Sequence, residues 1–286
     1  MRELQIINNN SPTVWPQNWG KVTSIMGILN VTPDSFSDGG DYLSINDAVN
    51  RTTEFISQGV DIIDIGAQST RPGANEVGSS EEIKRLIPVL KELKSIFPEQ
   101  LFSVDTFNSD VAFAALNNGA SWINDVTGGR RDNQILEVVA DFECPFVITH
   151  SRGNSKNMNL LSEYKDLTND IILSLKKLTN KALNKNISKE NIIWDPGLGF
   201  SKNTKQNISI LKNIGKFKKE GFPILIGASR KRFIGEILNI NKPKDRDIGS
   251  LAISCFCSQS SIDMVRVHNV EINRQILKVS DAIYRN

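Results

Sequence analysis

The 286 residues suit one large α/β domain or two small ones, and barrels of alternating strands and helices commonly reach this length as a single unit. Lys plus Arg number 34 against 32 for Asp plus Glu, a formal net charge of +2, which gives no field for nucleic acid or an anionic membrane and leaves a small molecule as the default partner. With 39% hydrophobic and 23% charged residues the composition is that of a globular chain, and Cys144, Cys255 and Cys257 form neither a disulfide framework nor a metal-ligand set, which fits a reducing cytosol.

The opening stretch MRELQIINNNSP lacks the apolar core of a secretory signal and the Arg-rich character of a transit peptide. No apolar run is long enough to span a bilayer, so a cytoplasmic protein is expected. Residues 1–21 are read as a leader whose short strands plug the bottom of the fold. Eight short apolar runs follow: SIMGILN (24–30), DIIDIG (61–66), LFSVDT (101–106), WINDV (122–126), PFVITH (145–150), NIIWD (191–195), PILIGAS (223–229) and IDMVRVH (262–268). Between them lie stretches of helical period at 47–58, 81–96, 109–117, 133–141, 164–185 and 270–284, several with Ser, Asn and acidic residues at their starts. Strict alternation implies right-handed crossovers and a parallel sheet whose strands are buried on both faces. Eight such units predict a single-domain (β/α)8 TIM barrel over residues 22–286.

Each run closes on a polar or charged residue: Asn30, Asp64, Asp105, Asn124 with Asp125, His150, Asp195, Ser229, and Arg266 with His268. At any one position this is as well explained by a strand giving way to a surface loop. Taken together, the ends match the C-terminal rim, where barrel enzymes assemble their sites.

Four stretches carry candidate chemistry. NVTPDSFSDGG (30–40) is rich in oxygen ligands but has no distant bidentate glutamate, which a calcium loop requires. In GAQSTRPGANEVG (66–78), glycines let the backbone approach a ligand and Arg71 could clamp an anion bidentately, although an ordinary loop reads the same way. GASRKRFIGEIL (227–238) leads into a helix whose first turn is expected to carry Arg230, Lys231 and Arg232, against the helix dipole, which suggests an anionic ligand or a solvated basic face. RVHNV places Arg266 and His268 on one side of the last strand, a better anion candidate suited to a leaving diphosphate. Asp105 and Asp195 could act as an acid/base pair or grip a guanidine-like ring edge. With only two histidines, far apart, no His-based metal cluster is expected.

In this order, GILNVTPDSFSDGG, DIGAQSTRPGA, SVDT, INDV, DPGLGF, GASRK and RVHNV resemble the dihydropteroate synthase family of pterin-binding barrels, over residues 24–270. The resemblance implies joining of 6-hydroxymethyl-7,8-dihydropterin diphosphate to 4-aminobenzoate, with release of diphosphate. It implies that Asp105, Asn124 and Asp195 hold the pterin edge, and that Lys231 contacts the pterin near its carbonyl rather than a phosphate. Arg266 and His268 would hold the diphosphate, and Asn30 a bridging Mg2+. Thr70 and Arg71 would belong to a second loop that closes with the first over 4-aminobenzoate. Phe200 and Ser229, within DPGLGF and GASRK, join the substrate-binding set, and a homodimer follows from the family alone.

The chain departs from the family pattern at Thr149 and Ser151 around His150, where methionines are common, a change that bears on the apolar contact to the pterin. Gln68 and Ser201 stand where glutamate and glycine are common. Two other readings are open: a methyltetrahydrofolate methyltransferase, which has no need of STRPGA or SRK, and a pterin-binding paralogue without activity.

Overall fold

A computed structural model describes residues 14–32, 45–68 and 76–285. The eight strands are β1 (Ser24–Asn30), β2 (Ile62–Gly66), β3 (Leu101–Asp105), β4 (Trp122–Asp125), β5 (Phe146–Thr149), β6 (Ile192–Asp195), β7 (Leu225–Ile226) and β8 (Met264–Val267). All pair in parallel, in the order β6-β5-β4-β3-β2-β1-β8-β7. A single bridge between Trp194 and Ile224 joins the two ends of that order and completes the barrel.

Ten α-helices lie among the described residues: α1 (Ile45–Ser57), α2 (Ser79–Ile96), α3 (Ser109–Asn117), α4 (Ile135–Asp141), α5 (Leu167–Asn184), α6 (Thr204–Lys212), α7 (Ile214–Lys218), α8 (Arg232–Leu238), α9 (Asp247–Gln259) and α10 (Val270–Tyr284). None is long and apolar enough to cross a membrane. The six helical stretches read from sequence correspond to α1 to α5 and α10. The one read as beginning at residue 164 starts at Leu167, because Asp166 caps it by accepting from Asn169 N at 3.2 Å.

Strand alternation divides the apolar residues into two cores. One face of each strand, with residues such as Ile25, Ile63, Phe102 and Phe146, packs against the surrounding helices. The other face points into the barrel and forms a layer with one residue from every strand: Met26, Ile62, Leu101, Trp122, Val147, Ile193, Leu225 and Met264. Trp15 and Trp19 pack edge-on against Trp122, with ring centroids 4.9 and 5.7 Å away, and Trp122 Nε1 donates to Val14 O. Residues 14–21 are turns rather than strands, and the strands expected earlier in the leader fall outside the described residues.

Candidate functional site

The inward layer sets the position of the site. Two residues further along the same face stand Asp64, Asn124, Thr149, Asp195, Gly227 and Arg266, and four further along β1 and β3 stand Asn30 and Asp105. Apolar side chains therefore fill the barrel at the N-terminal end, and polar ones fill its C-terminal mouth. That switch puts the functional groups at the rim on rigid strands.

Arg266 is the hub of the mouth. Its Nε donates to Asp64 Oδ2 at 2.6 Å and one terminal nitrogen donates to Asp105 Oδ2 at 2.8 Å. Asn124 Nδ2 donates to the same Asp64 oxygen at 3.0 Å, so β2, β3, β4 and β8 are tied into one network. The other carboxylate oxygens, Asp64 Oδ1 and Asp105 Oδ1, are buried and meet no hydrogen-bond partner among the described residues. Burial pushes the Asp105 carboxyl up to about 7 against the pull of Arg266, with Asp64, Glu82 and Asp125 adding to the rise. Asp64 ended a strand in the sequence reading but was not among the expected site residues. Its spacing two residues beyond an inward apolar residue, Ile62, is the signal that finds it.

On the opposite wall Asp195 accepts from Gly197 N at 2.7 Å and is likewise pushed upward by burial, with Lys231, Lys202 and Arg266 opposing. Lys231 lies 4.0 Å above the Phe200 ring centroid and donates to Leu198 O. Burial brings its ammonium down to about 8, with Asp195 resisting. Gly227 next to this wall leaves room, since a Cβ there would come no closer than 3.9 Å to Asp195 Oδ2 and Arg266 Cβ.

The basic cluster expected in the first turn of one helix is divided differently. α8 starts at Arg232, Lys231 is its N-cap, and Arg230 precedes it with φ +59°. Arg230 makes a bidentate ion pair with Asp247 of α9, at 2.6 and 2.8 Å, and its backbone N donates to Ser250 Oγ at 3.0 Å. The charge that seemed to ask for a ligand is thus neutralised internally, and only Lys231 faces the mouth. Ser229 Oγ lies 3.0 Å from His268 Nδ1 and accepts from His268 N at 3.2 Å, which orients the imidazole. Arg266 and His268 share a parity, yet Arg266 turns to the carboxylates and His268 to Ser229.

Asn30 ends β1 opposite Gly66, and its Oδ1 would lie 3.4 Å from a Cβ on that glycine. An amide oxygen suits a hard cation, while no group of three or more His, Cys, Asp or Glu among the described residues could hold a metal by itself. These residues therefore fit a cation that takes its remaining ligands from a substrate. Thr70 and Arg71 lie outside the described residues, as do 33–40 and 69–75 of the two loops expected to close over the mouth. Beside the mouth a cavity of about 360 Å³ is lined by residues including Phe107, Val126, Arg130, Ser151, Met158 and Phe200. Ser151 meets Arg130 at 2.6 Å there and donates to Val126 O at 2.6 Å, so the position where the family often carries a methionine is polar and tethered.

A parallel α/β barrel with paired carboxylates, an amide and two cations at its C-terminal mouth belongs to the class of barrel enzymes that bind a flat, polar small molecule at the rim. Residues 26–268 match the family described as pterin binding enzyme, and the chain belongs to that family. It is 42% identical over 268 residues to a dihydropteroate synthase of Synechocystis sp., across 94% of this chain and 92% of that protein. The fold is similar to a dihydropteroate synthase from Clostridium difficile crystallised in the presence of pteroic acid, with TM-score 0.88, 41% identity, and coverage of 94% of this chain and 99% of that one. A dihydropteroate synthase of Xanthomonas albilineans with 4-aminobenzoic acid gives TM-score 0.86 and 37% identity, over 92% of this chain and 94% of that one.

Proposed function

We infer that the chain condenses 6-hydroxymethyl-7,8-dihydropterin diphosphate with 4-aminobenzoate, giving 7,8-dihydropteroate and diphosphate. The carrying observation is the pair of buried oxygens, Asp64 Oδ1 and Asp105 Oδ1, that have no partner among the described residues. Buried carboxylate oxygens left unpaired are costly, and the N–H edge of a dihydropterin supplies the donors they need. Asp105, Asn124 and Asp195 hold that edge, and Lys231 addresses the ring carbonyl.

In the reaction the amine nitrogen of 4-aminobenzoate bonds to the exocyclic methylene, the C–O bond breaks with its electron pair leaving on diphosphate, and the amine loses one proton. The electron-rich dihydropterin lets the C–O bond ionise early, and the carboxylates at the mouth stabilise the methylene cation. Arg266 and His268 stabilise the departing anion. Arg266 already engages Asp64 and Asp105 with two of its five N–H donors, so it couples the charge on the leaving group to the carboxylates that hold the ring. Asn30 would hold Mg2+, which supplies charge neutralisation on the diphosphate when bound.

Thr70 and Arg71 complete the 4-aminobenzoate side. The protein works in the cytoplasm and forms a homodimer, a reading favoured by exposed Val279 and Ile283, four residues apart on α10, and checked by whether light scattering gives twice the chain mass. Incubation of both substrates with Mg2+ is expected to yield one dihydropteroate per diphosphate. Pterin binding with no product would favour the non-catalytic paralogue instead. Asn30→Ala is expected to raise the Mg2+ concentration needed for half-maximal rate, whereas Asp38→Ala leaves it largely unchanged; equal effects of the two would remove Asn30 from the metal site.

A further inference from the structure

Lys202 is one of the most deeply placed charges in the chain, only 5% exposed, and lies immediately beyond the loop that follows β6. Its Nζ is 2.9 Å from each of three groups: His150 Nδ1 at the end of β5, Gly197 O and Phe200 O. His150 O is a fourth, longer contact at 3.4 Å, so the three short ones match the N–H capacity of an ammonium. Burial together with Lys202 holds the His150 imidazole well below its usual range, so it meets Lys202 as a neutral ring.

The loop that Lys202 grips is also held at its far end, where Ser201 Oγ donates to Arg152 O at 2.7 Å and Ser201 O accepts from Tyr164 Oη at 3.1 Å. Three of its five residues from Gly197 to Ser201 have positive φ: Gly197 at +72°, Gly199 at +80° and Ser201 at +52°. A left-handed serine is strained, and such geometry persists only where surrounding contacts impose it. Asn207 Oδ1 accepts from Gly199 N at 2.7 Å, and Lys202 supplies the clamp on either side of that point. The loop in turn carries the wall of the mouth. Gly197 N holds Asp195, Leu198 O accepts from Lys231, and the Phe200 ring lies beneath the Lys231 ammonium.

We propose that Lys202 is a positioning residue, whose Nζ fixes the loop from Gly197 to Phe200 so that Asp195, Phe200 and Lys231 meet the pterin in register. The role rests on the proposed function of this mouth as a dihydropterin diphosphate site. Asp195 is faced by Lys231, Lys202 and Arg266. Lys202 is faced by Asp195, Lys231, Arg152 and Arg130 besides His150. Burial, with Lys231, Arg152 and Arg130 beside it, holds the Lys202 ammonium well below its usual range, and Asp195 opposes that fall.

The test compares wild type, Lys202→Met and His150→Leu in the full chain, by steady-state kinetics in both substrates and by thermal unfolding. Lys202→Met leaves Phe200 O and His150 Nδ1 without this partner, while Gly197 O keeps Phe200 N at 3.1 Å, and the KM for the pterin substrate is expected to rise by about tenfold or more. kcat at saturating pterin should fall less than KM rises in the same variant, the split expected when substrate positioning is lost. His150→Leu removes one partner, keeps Lys202 on the two loop carbonyls, and is expected to raise KM less; it carries the test if Lys202→Met does not fold. A folded Lys202→Met with wild-type pterin KM overturns the positioning role, as does a His150→Leu variant with unchanged pterin KM where Lys202→Met is unfolded. A wild type that forms no dihydropteroate from both substrates overturns instead the functional reading, and this role with it.

Discussion

Arg266 bridges Asp64 and Asp105, so removing it leaves two buried carboxylates facing each other without their shared cation. Arg266→Ala is expected to lower kcat/KM by roughly 10² to 10³, the scale of losing one preorganised charge stabiliser. Arg266→Lys should recover little, because a point ammonium cannot reach both carboxylates as the planar fork does. Unchanged turnover at saturating substrates would remove Arg266 from the leaving-group role. The pH dependence follows from Asp105 at about 7 and Lys231 at about 8. Asp105 must be ionised to accept ring N–H groups, so activity falls below its pKa; Lys231 must be charged to address the carbonyl, so activity falls above its own. The kcat/KM profile of the free enzyme is expected to be a narrow bell, and Lys231→Arg should move the alkaline limb alone to higher pH. At this scale Asp105, Asn124 and Asp195 were legible because strand-end polarity and the motif order both point to them. Asp64 stood among the same strand ends but drew no role there, since nothing local shows that Arg266 selects it, and Lys202 is visible only as a buried set of contacts.

The loops after β6 and β7 show how elements hold the site. At Gly197 a Cβ would come within 2.0 Å of His150 O, on a backbone with φ +72°. Gly20 also has positive φ, at +75°, but a Cβ there would meet nothing within 4 Å. Gly197→Ala is therefore expected to displace the β6 loop, with a large loss of activity and a lower Tm, while Gly20→Ala carries only the left-handed penalty of roughly 1 to 2 kcal/mol. Comparable Tm and activity in the two variants would contradict the packing argument. All eight strands were legible, though β7 is cut to two residues where its apolar run had suggested seven. α9 escaped the reading because its inward face is serine rather than aliphatic. Ser254 and Ser258 are buried and donate to Asn273 Oδ1 and Asp281 Oδ1 of α10, both at 2.6 Å, so the helical period is written in hydroxyls. α6 did carry a readable start, the capping box of Asn203 and Gln206, which the apolar pattern overlooked.

For the whole molecule, one chemical division organises the barrel: an apolar layer with a residue from each strand below, and a polar mouth above. The lower layer makes the barrel rigid and keeps water from the underside of the mouth, so the carboxylates and cations interact at low dielectric. The alternation of strand and helix made this architecture legible from the sequence, since parallel strands buried on both faces must read as apolar runs. The network across the mouth was less legible, because it joins residues as far apart as Asp64 and Arg266, and no local pattern specifies which carboxylate an arginine selects. The most direct measurement is the rate of diphosphate release from 6-hydroxymethyl-7,8-dihydropterin diphosphate with and without 4-aminobenzoate, at saturating Mg2+. Release that requires both substrates and matches dihydropteroate formation is the predicted result. Equal release when 4-aminobenzoate is omitted, or none when both are present, would contradict the account.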